Sequence, residues 1–406
     1  MTHRLPLSVS TQAGITLTRD RGPGDTNHTL DYIPGSAVRG ALAARYLASG
    51  GRPTDEVFVH AFIREGVSFS NLYPLQESDR GGTVFPTPLT ARSCKYWTGF
   101  LARESDQEAM HGVRDMLFHS AIYQHHAQNS VLLKPEAEIC EQQTCGQPLD
   151  RIRGFAYRVS ATEYFRREAR TRLMARVAID RRRRAAAEGI LYSLQAITED
   201  QWFCGDIRSG DEAPLQEIQS RYLTAGPLRA GVAKTRGLGM LRYQTKEINT
   251  LPLLEQQRFG RCDTKFKELI EKQRCPLSHD WYFSVTLDAD CILPDPFLRY
   301  YSAIPSDEVA NALGLPPASL TRLAYAAATR PVRGWNTALG MPKGDAVAIS
   351  MGSAFLFAYT GLESQETLIA KLAKLEASGL GVRRGEGFGR LTVAHPFHWE
   401  AAEKGV

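Results

Sequence analysis

No window of the chain holds the roughly 18 to 20 uninterrupted apolar residues that a membrane-spanning helix needs. The opening, MTHRLPLSVSTQ, has no apolar core of the signal-peptide kind. Membrane insertion and export are therefore not expected, and the reading is cytoplasmic. Cysteine is sparse: Cys94, Cys140, Cys145, Cys204, Cys262, Cys275 and Cys291 are odd in number and irregularly spaced. That argues against a disulfide framework and suits reduced thiols or a metal site. Nucleotide loops are missing as well. No GxGxxG follows a strand with a distant acid and no GxxxxGK[ST] occurs, which disfavours a dinucleotide or ATP site. With 43% hydrophobic and 23% charged residues, the composition excludes a disordered, collagenous or coiled-coil chain.

What is present is enough chain, 406 residues, for two or three folded units at roughly 150 residues each. The net charge of +5 permits a polyanionic partner without requiring one. Its distribution is more telling. From Arg151 to Arg184 twelve arginines face only Glu163, Glu168 and Asp180, a local balance of +9 that exceeds the charge of the whole chain.

Residues 4–10 and 14–18 mix branched apolar and polar residues as strands do. A turn at Pro34-Gly35 then opens a helix, with Val38, Leu42, Ala43, Tyr46 and Leu47 at helical spacing, Ser36 as N-cap and Gly50-Gly51 as the stop. Between about 79 and 150 the patterning becomes irregular, with His119, His125, His126 and three cysteines, and reads as an insertion. A basic arm follows at about 151–188. Strand-like tracts return at 172–180 and 189–196, 215–225 reads as a helix, and the first domain ends near residue 250. Residues 251–280 read as a polar connection. The second domain, 281–406, opens on the strong strand tract WYFSVTLDADCIL. Helices are expected at 306–313, 318–328 and 366–377, with a buried strand over 346–357.

The two halves end alike: a helix, a glycine-rich loop with basic residues, then a strand. The loops are GVAKTRGLGML (231–241) and GVRRGEGFGRL (381–391). Glycines let backbone N–H groups approach a phosphate, and Lys234, Arg236, Arg383 and Arg384 supply charge. The same glycines also suit tight turns that need positive φ. The echo itself points to a tandem repeat of one α+β unit.

These loops, with IPGSAVRGALAARYL (33–47), resemble the RAMP superfamily of CRISPR-associated proteins. FSNLYP (69–74), PTPLTARSCK (86–95), AIDRRRRAAAEGILYSLQAI (178–197), RGWN and GMPK (333–343) are similar, more narrowly, to its type III-D Csx-ten family. The resemblance runs along nearly the whole chain, in order. It implies tandem ferredoxin-like (RRM-type) α+β domains in a prokaryotic, cytoplasmic antiviral-defence protein. It further implies a Cas-five-like subunit of an RNA-guided effector complex that caps the 5′ repeat handle of the crRNA. The partners would be the large effector subunit and the adjacent RAMP backbone subunit, with target RNA contacted indirectly and no membrane involved. No catalytic centre is expected. The alternative is a metal-independent endoribonuclease acting on precursor crRNA, for which His28 is the candidate general acid or base, since neither loop carries a histidine.

The residues agree with RNA binding. Arg39, flanked by Ser36 and Gly40, follows a turn whose backbone N–H groups favour an anion; pairing with an acid such as Asp31 is the competing fate. Arg176 and Arg181, Arg182, Arg183 and Arg184 suit phosphates and stack on bases. Lys234, Thr235, Arg236, Gly237 and Gly239 in the first loop, and Arg383, Arg384, Gly387 and Phe388 in the second, complete the loop candidates. Trp335 and Phe388 could stack on bases, with Lys343 nearby; Trp335 could equally pack against a helix. Cys140 and Cys145 stand at zinc-pair spacing, with Cys94 in the same insertion. One structural zinc is the cofactor expectation, with His119, His125, His126 or another cysteine as fourth ligand and buried thiols as the alternative.

Overall fold

The computed structural model describes residues 2–21, 26–79, 81–101, 110–128, 139–140, 142, 145–180, 185–252, 254–336 and 340–402. Two compact units result. The first comprises Met1–Arg80, Arg167–Leu251 and Gly385–Gly387; the second comprises Gly81–Arg166, Pro252–Arg384 and Phe388–Val406. Chain order therefore does not match unit membership. The segment read as an insertion of the first domain packs in the second, as does the chain from residue 252 onward apart from Gly385–Gly387.

In the first unit, β1 (His3–Thr11) buries Leu5, Leu7 and Val9 on one face, the period-2 pattern of a half-buried strand. Helix α1 (Gly35–Ala48) buries Val38, Ala41, Leu42 and Tyr46. Its N-cap is Pro34 rather than Ser36, and the Asn71 side-chain oxygen accepts from Gly35 N–H at 3.0 Å, satisfying one of the donors the helix start leaves open. A Cβ at Gly35 would collide with the Phe69 carbonyl, so only glycine lets the helix start this close to the sheet. The chain continues through β2 (Val67–Phe69), the hairpin β3 (Thr171–Asp180) and β4 (Ala185–Ile197), then β5 (Trp202–Ser209), α2 (Ala213–Glu217) running into a wider helical turn to Leu223, and β6 (Met240–Thr245). The sheet order is β6-β1-β5-β2, antiparallel throughout, the arrangement of a βαββαβ ferredoxin-like fold.

The second unit repeats this plan. Helix α3 (Gln256–Lys272), in the stretch read as a connection, buries Phe259, Cys262, Phe266 and Leu269 in the main core. Next come β7 (Trp281–Leu287), α4 (Ser306–Leu313), β8 (Leu320–Ala326), β9 (Ala354–Tyr359), α5 (Gln365–Ser378) and β10 (Leu391–Val393), with sheet order β10-β7-β9-β8. The fold class is α+β. Helix α5 carries its own punctuation: the Ser364 hydroxyl accepts from Thr367 N–H and Gly379 follows the last turn. The helix expected at 318–328 is instead β8. Leu320 and Ala324 are buried, and residues four apart share a face in a strand as well as in a helix, so their spacing does not separate the two; the pairing register also shifts between Arg322 and Ala324. The buried strand expected at 346–357 is two strands, Ala346–Ile349 and β9.

The described residues of 81–166 pack in the second unit, and two buried polar networks stand out among them. Asp115 accepts from Thr90 Oγ1 and from Leu117 N–H, and lies 2.9 Å from His398 Nδ1; His398 Nε2 is 2.7 Å from Thr286 Oγ1 on β7. Asp115, His398 and Thr286 are all buried, and burial at this depth requires such pairing. Arg158 donates twice to Glu400, at 2.7 and 2.6 Å, and Tyr164 adds a third bond to the same carboxylate. The Glu400 bonds hold the Arg158 guanidinium in its charged form, while burial ahead of the Glu400 charge raises Tyr164 far above the usual phenol range.

Candidate nucleic-acid interface

The two glycine-rich loops have one backbone. Gly231, Ala233, Gly237 and Gly239 have φ of +82, +57, +83 and +81°, and Gly381, Arg383, Gly387 and Gly389 have +81, +59, +94 and +71°. Each encloses a single 3₁₀ turn, Lys234–Arg236 and Arg384–Glu386. The hydrogen bonds correspond as well: Ala230 N–H to Gly239 O and Leu380 N–H to Gly389 O, both 2.9 Å; Val232 N–H to Thr16 O and Val382 N–H to Ile292 O, both 3.0 Å. A Cβ at Gly231 or Gly239 would strike the carbonyls of Thr16 and Ala230, and one at Gly381 or Gly389 those of Ile292 and Leu380. Four of the glycines are thus required by the protein's own close backbone approaches.

The tips differ. In the first loop Lys234, Thr235, Arg236 and Gly237 are exposed, and a Cβ at Gly237 would meet open space. In the second, Gly385, Glu386 and Gly387 are buried and belong to the first unit, where a Cβ at Gly387 would strike the Phe69 carbonyl. Glu386 lies 3.7 Å from the Arg39 guanidinium, which also donates to Phe62 O. Arg39 therefore meets an acid, Glu386, along with the carbonyl. Arg383 lies over the Phe388 ring at 4.9 Å, and Arg384 donates to Ser378 O at 3.4 Å.

The open tip joins the hairpin. Arg236 donates to the Tyr192 hydroxyl, and Tyr192 on β4 stands directly opposite Arg176 on β3, a cross-strand pair on one face. The structure thereby brings two of the expected RNA contacts, Arg176 and Arg236, onto one surface. Two residues absent from the expected set belong with them. Arg229 holds the loop by donating to Lys234 O at 2.7 Å, and Arg242 is exposed on β6 opposite Ser10. Residues 228–242 contain Arg229, Lys234, Arg236 and Arg242 and no acid, a count the sequence already offered. Arg181 to Arg184 lie outside the described residues.

In the second unit, the link between β8 and β9 forms its own hairpin, pairing Thr329–Val332 with Ala346–Ile349 and Trp335–Asn336 with Met341–Pro342. Trp335 is 60% exposed there, and Lys343 N–H donates to Gly334 O. His28 is exposed, with Nδ1 3.3 Å from the Gln195 amide oxygen. Gly40 sits exposed on α1 with open space beside it, and Ser36 lies half-buried one turn earlier.

The three insertion cysteines do converge. Cys94, Cys140 and Cys145 gather with His111, all four ligand atoms lying within 4.8 Å of one another. His119 instead meets Ala402 O at 2.8 Å, and His125 and His126 are outside the cluster. Burial raises the Cys140 thiol to about 11. At Cys94 burial pushes the same way but is outweighed by the N–H groups of Trp97 and Tyr96 and by its cysteine neighbours, which bring that thiol below its usual value. Sequence reasoning missed His111 because no motif spacing ties it to the cysteines; the strand pairing brings it to them.

Among the described residues no helix is long and apolar enough to cross a membrane. No protein-family model matches the chain, and no curated protein matches it. Among solved structures, a chain of the type III-B Cmr-beta complex bound to cognate target RNA and AMPPnP is similar at a TM-score of 0.38 and 11% identity, over 86% of both chains. One from the same complex bound to cognate target RNA gives 0.40 and 12%, again over 86% of each. A chain of the apo Cmr-beta complex gives 0.30 and 9%, over 60% of this chain and 97% of that one.

Proposed function

We propose that this chain is a non-catalytic RNA-binding subunit of a type III-D-like CRISPR effector ribonucleoprotein, gripping the 5′ repeat handle of the crRNA and bridging to the large subunit and the neighbouring RAMP subunit. The observation that carries the reading is the open first loop. Exposed Lys234 and Arg236 and, through Tyr192, half-buried Arg176 make one basic face without an acid in the loop, on a repeat that also resembles the RAMP superfamily in its motifs. Guanidinium and ammonium groups so displayed hold phosphates, and Tyr192 offers a ring for stacking. The second loop, closed by Glu386 and Arg39, contributes less.

The endoribonuclease alternative rests on His28, whose Nδ1 faces an amide rather than a carboxylate that would orient it as a general base. The test is RNA binding by Lys234→Ala/Arg236→Ala beside Arg383→Ala/Arg384→Ala, with the RNA checked for cuts in chelator. The reading expects the first pair to lose RNA affinity, the second to retain most of it, and the RNA to stay intact. Equal loss from both pairs contradicts the assignment to the first loop, and cleavage abolished by His28→Ala establishes the enzyme.

A further inference from the structure

We propose that Cys94, His111, Cys140 and Cys145 bind one zinc ion in a closed, tetrahedral structural site that ties three chain segments of the second unit together. The topology explains why they meet. The small antiparallel sheet of segment 81–166 has Ala91–Cys94 in the middle, Val113–Asp115 on one side and Leu149–Arg151 on the other. Cys94 ends the middle strand. Because both neighbours run the opposite way, the residues just before them arrive at the same end of the sheet: His111 before Val113, and Cys145 before Leu149. Cys140 is added by the turn that pairs its N–H with Gln147 O at 2.8 Å and Cys145 N–H with Gln142 O at 2.9 Å.

The spacing is that of a metal site. A tetrahedron with zinc–sulfur bonds of about 2.3 Å has edges of about 3.8 Å, and Cys94 Sγ and Cys145 Sγ are 3.8 Å apart. His111 Nδ1 is 3.2 Å from Cys140 Sγ. Both sulfur atoms stand well beyond the roughly 2.05 Å of a disulfide. The backbone N–H groups of Tyr96 and Trp97 point at Cys94 Sγ and that of Gln142 at Cys140 Sγ, the outer hydrogen bonds that thiolate ligands use. Three thiolates and an imidazole select zinc over the hard oxygen-seeking cations, and four protein ligands leave no position for substrate. The segment needs the clip. Apart from Leu117, Phe118, Ala121 and Ile122, which join the main core, its described residues form a small apolar cluster of Phe85, Ala91, Phe100, Val113, Ile152, Ala156 and Tyr164 with Phe397 and Ala401, and a metal stabilises most where a core is small. Trp97 stacks on His111 at 5.8 Å, so the metal would also fix the exposed Tyr96–Trp97 pair.

The experiment is elemental analysis of the full chain purified without chelator, with intact mass under non-reducing conditions and exchange of the metal for cobalt. One equivalent of zinc, and a cobalt form with the visible bands of tetrahedral thiolate coordination, are expected. Cys94→Ser/Cys145→Ser should lose the metal and Cys275→Ser, a buried cysteine outside the cluster, should keep it. Less than about half an equivalent in the wild-type protein overturns the proposal, whatever the variants do. So does iron in place of zinc, a mass showing a Cys94–Cys145 disulfide, or a full equivalent retained by the double variant.

Discussion

Alanine at Gly387 and at the equivalent Gly237 should have unequal costs, and the difference measures how the two loop tips are packed. Both residues have positive φ, +94 and +83°, so an L-residue costs roughly 1–2 kcal/mol at either, and that term cancels in the comparison. What remains is steric. At Gly237 the new methyl group enters open space, whereas at Gly387 it strikes the Phe69 carbonyl and sits 3.5 Å from Asn71 N and Gly35 Cα. Those neighbours are backbone and cannot swing aside, since Ser70 N–H is bonded to Asp206 O at 3.0 Å and Leu72 N–H to Ile33 O at 2.7 Å. Overpacking of this kind adds about 1–3 kcal/mol. Gly387→Ala should therefore be the more destabilising by about 2 kcal/mol, roughly thirtyfold in the opening equilibrium. Amide exchange of β2 in native conditions reads that equilibrium locally, without assuming that both units unfold together. Costs equal within about 0.5 kcal/mol would refute the closed tip.

Further outcomes follow from the same structure. Lys234→Ala and Arg236→Ala should each flatten the dependence of log affinity on log salt by about 0.7 for single-stranded RNA, read from binding isotherms over a salt series; an unchanged slope removes them from the interface. Gly237→Ala, with its free surroundings, should leave stability within about 1–2 kcal/mol of wild type, checked by the midpoint of denaturant unfolding. His395 is held well below its ordinary value by burial first, then by the charges of His398, Arg258 and Arg158, and its Nδ1 accepts from Phe397 N–H at 3.2 Å. The unfolded chain thus binds the extra proton from about pH 6.5 downward, so stability is complete above that pH and declines as the pH falls toward the depressed folded value, by at most about 1.4 kcal/mol per unit. His395→Gln should remove that slope, and parallel pH profiles for the two proteins would refute it.

Much of this was legible in the sequence, for identifiable reasons. Glycine spacing in the two loops is dictated by positive φ and by close carbonyls, so the repeat is written in the residues themselves. The ends of α5 are likewise fixed by Ser364 and Gly379. Other features were not legible. The β8 segment reads as a helix because its buried Leu320 and Ala324 are four apart, a spacing that puts residues on one face of either element. Segment 81–166 reads as part of the first domain because chain order gives no hint that Phe85 and Tyr164 share a core with Phe397. His111 joins the cysteines only because antiparallel strands return to the same sheet end. The difference between the loop tips was equally hidden, since Glu386 finds Arg39 across most of the chain.

The central claim is handle recognition, and it is tested most directly by binding the purified protein to a crRNA with its native 5′ repeat handle and to one with that handle scrambled, across a salt series, while the RNA is checked for cuts. Tighter binding to the native handle at every salt concentration, with the RNA intact, is the predicted result. Equal affinity for both RNAs, or cleavage of either, would contradict it.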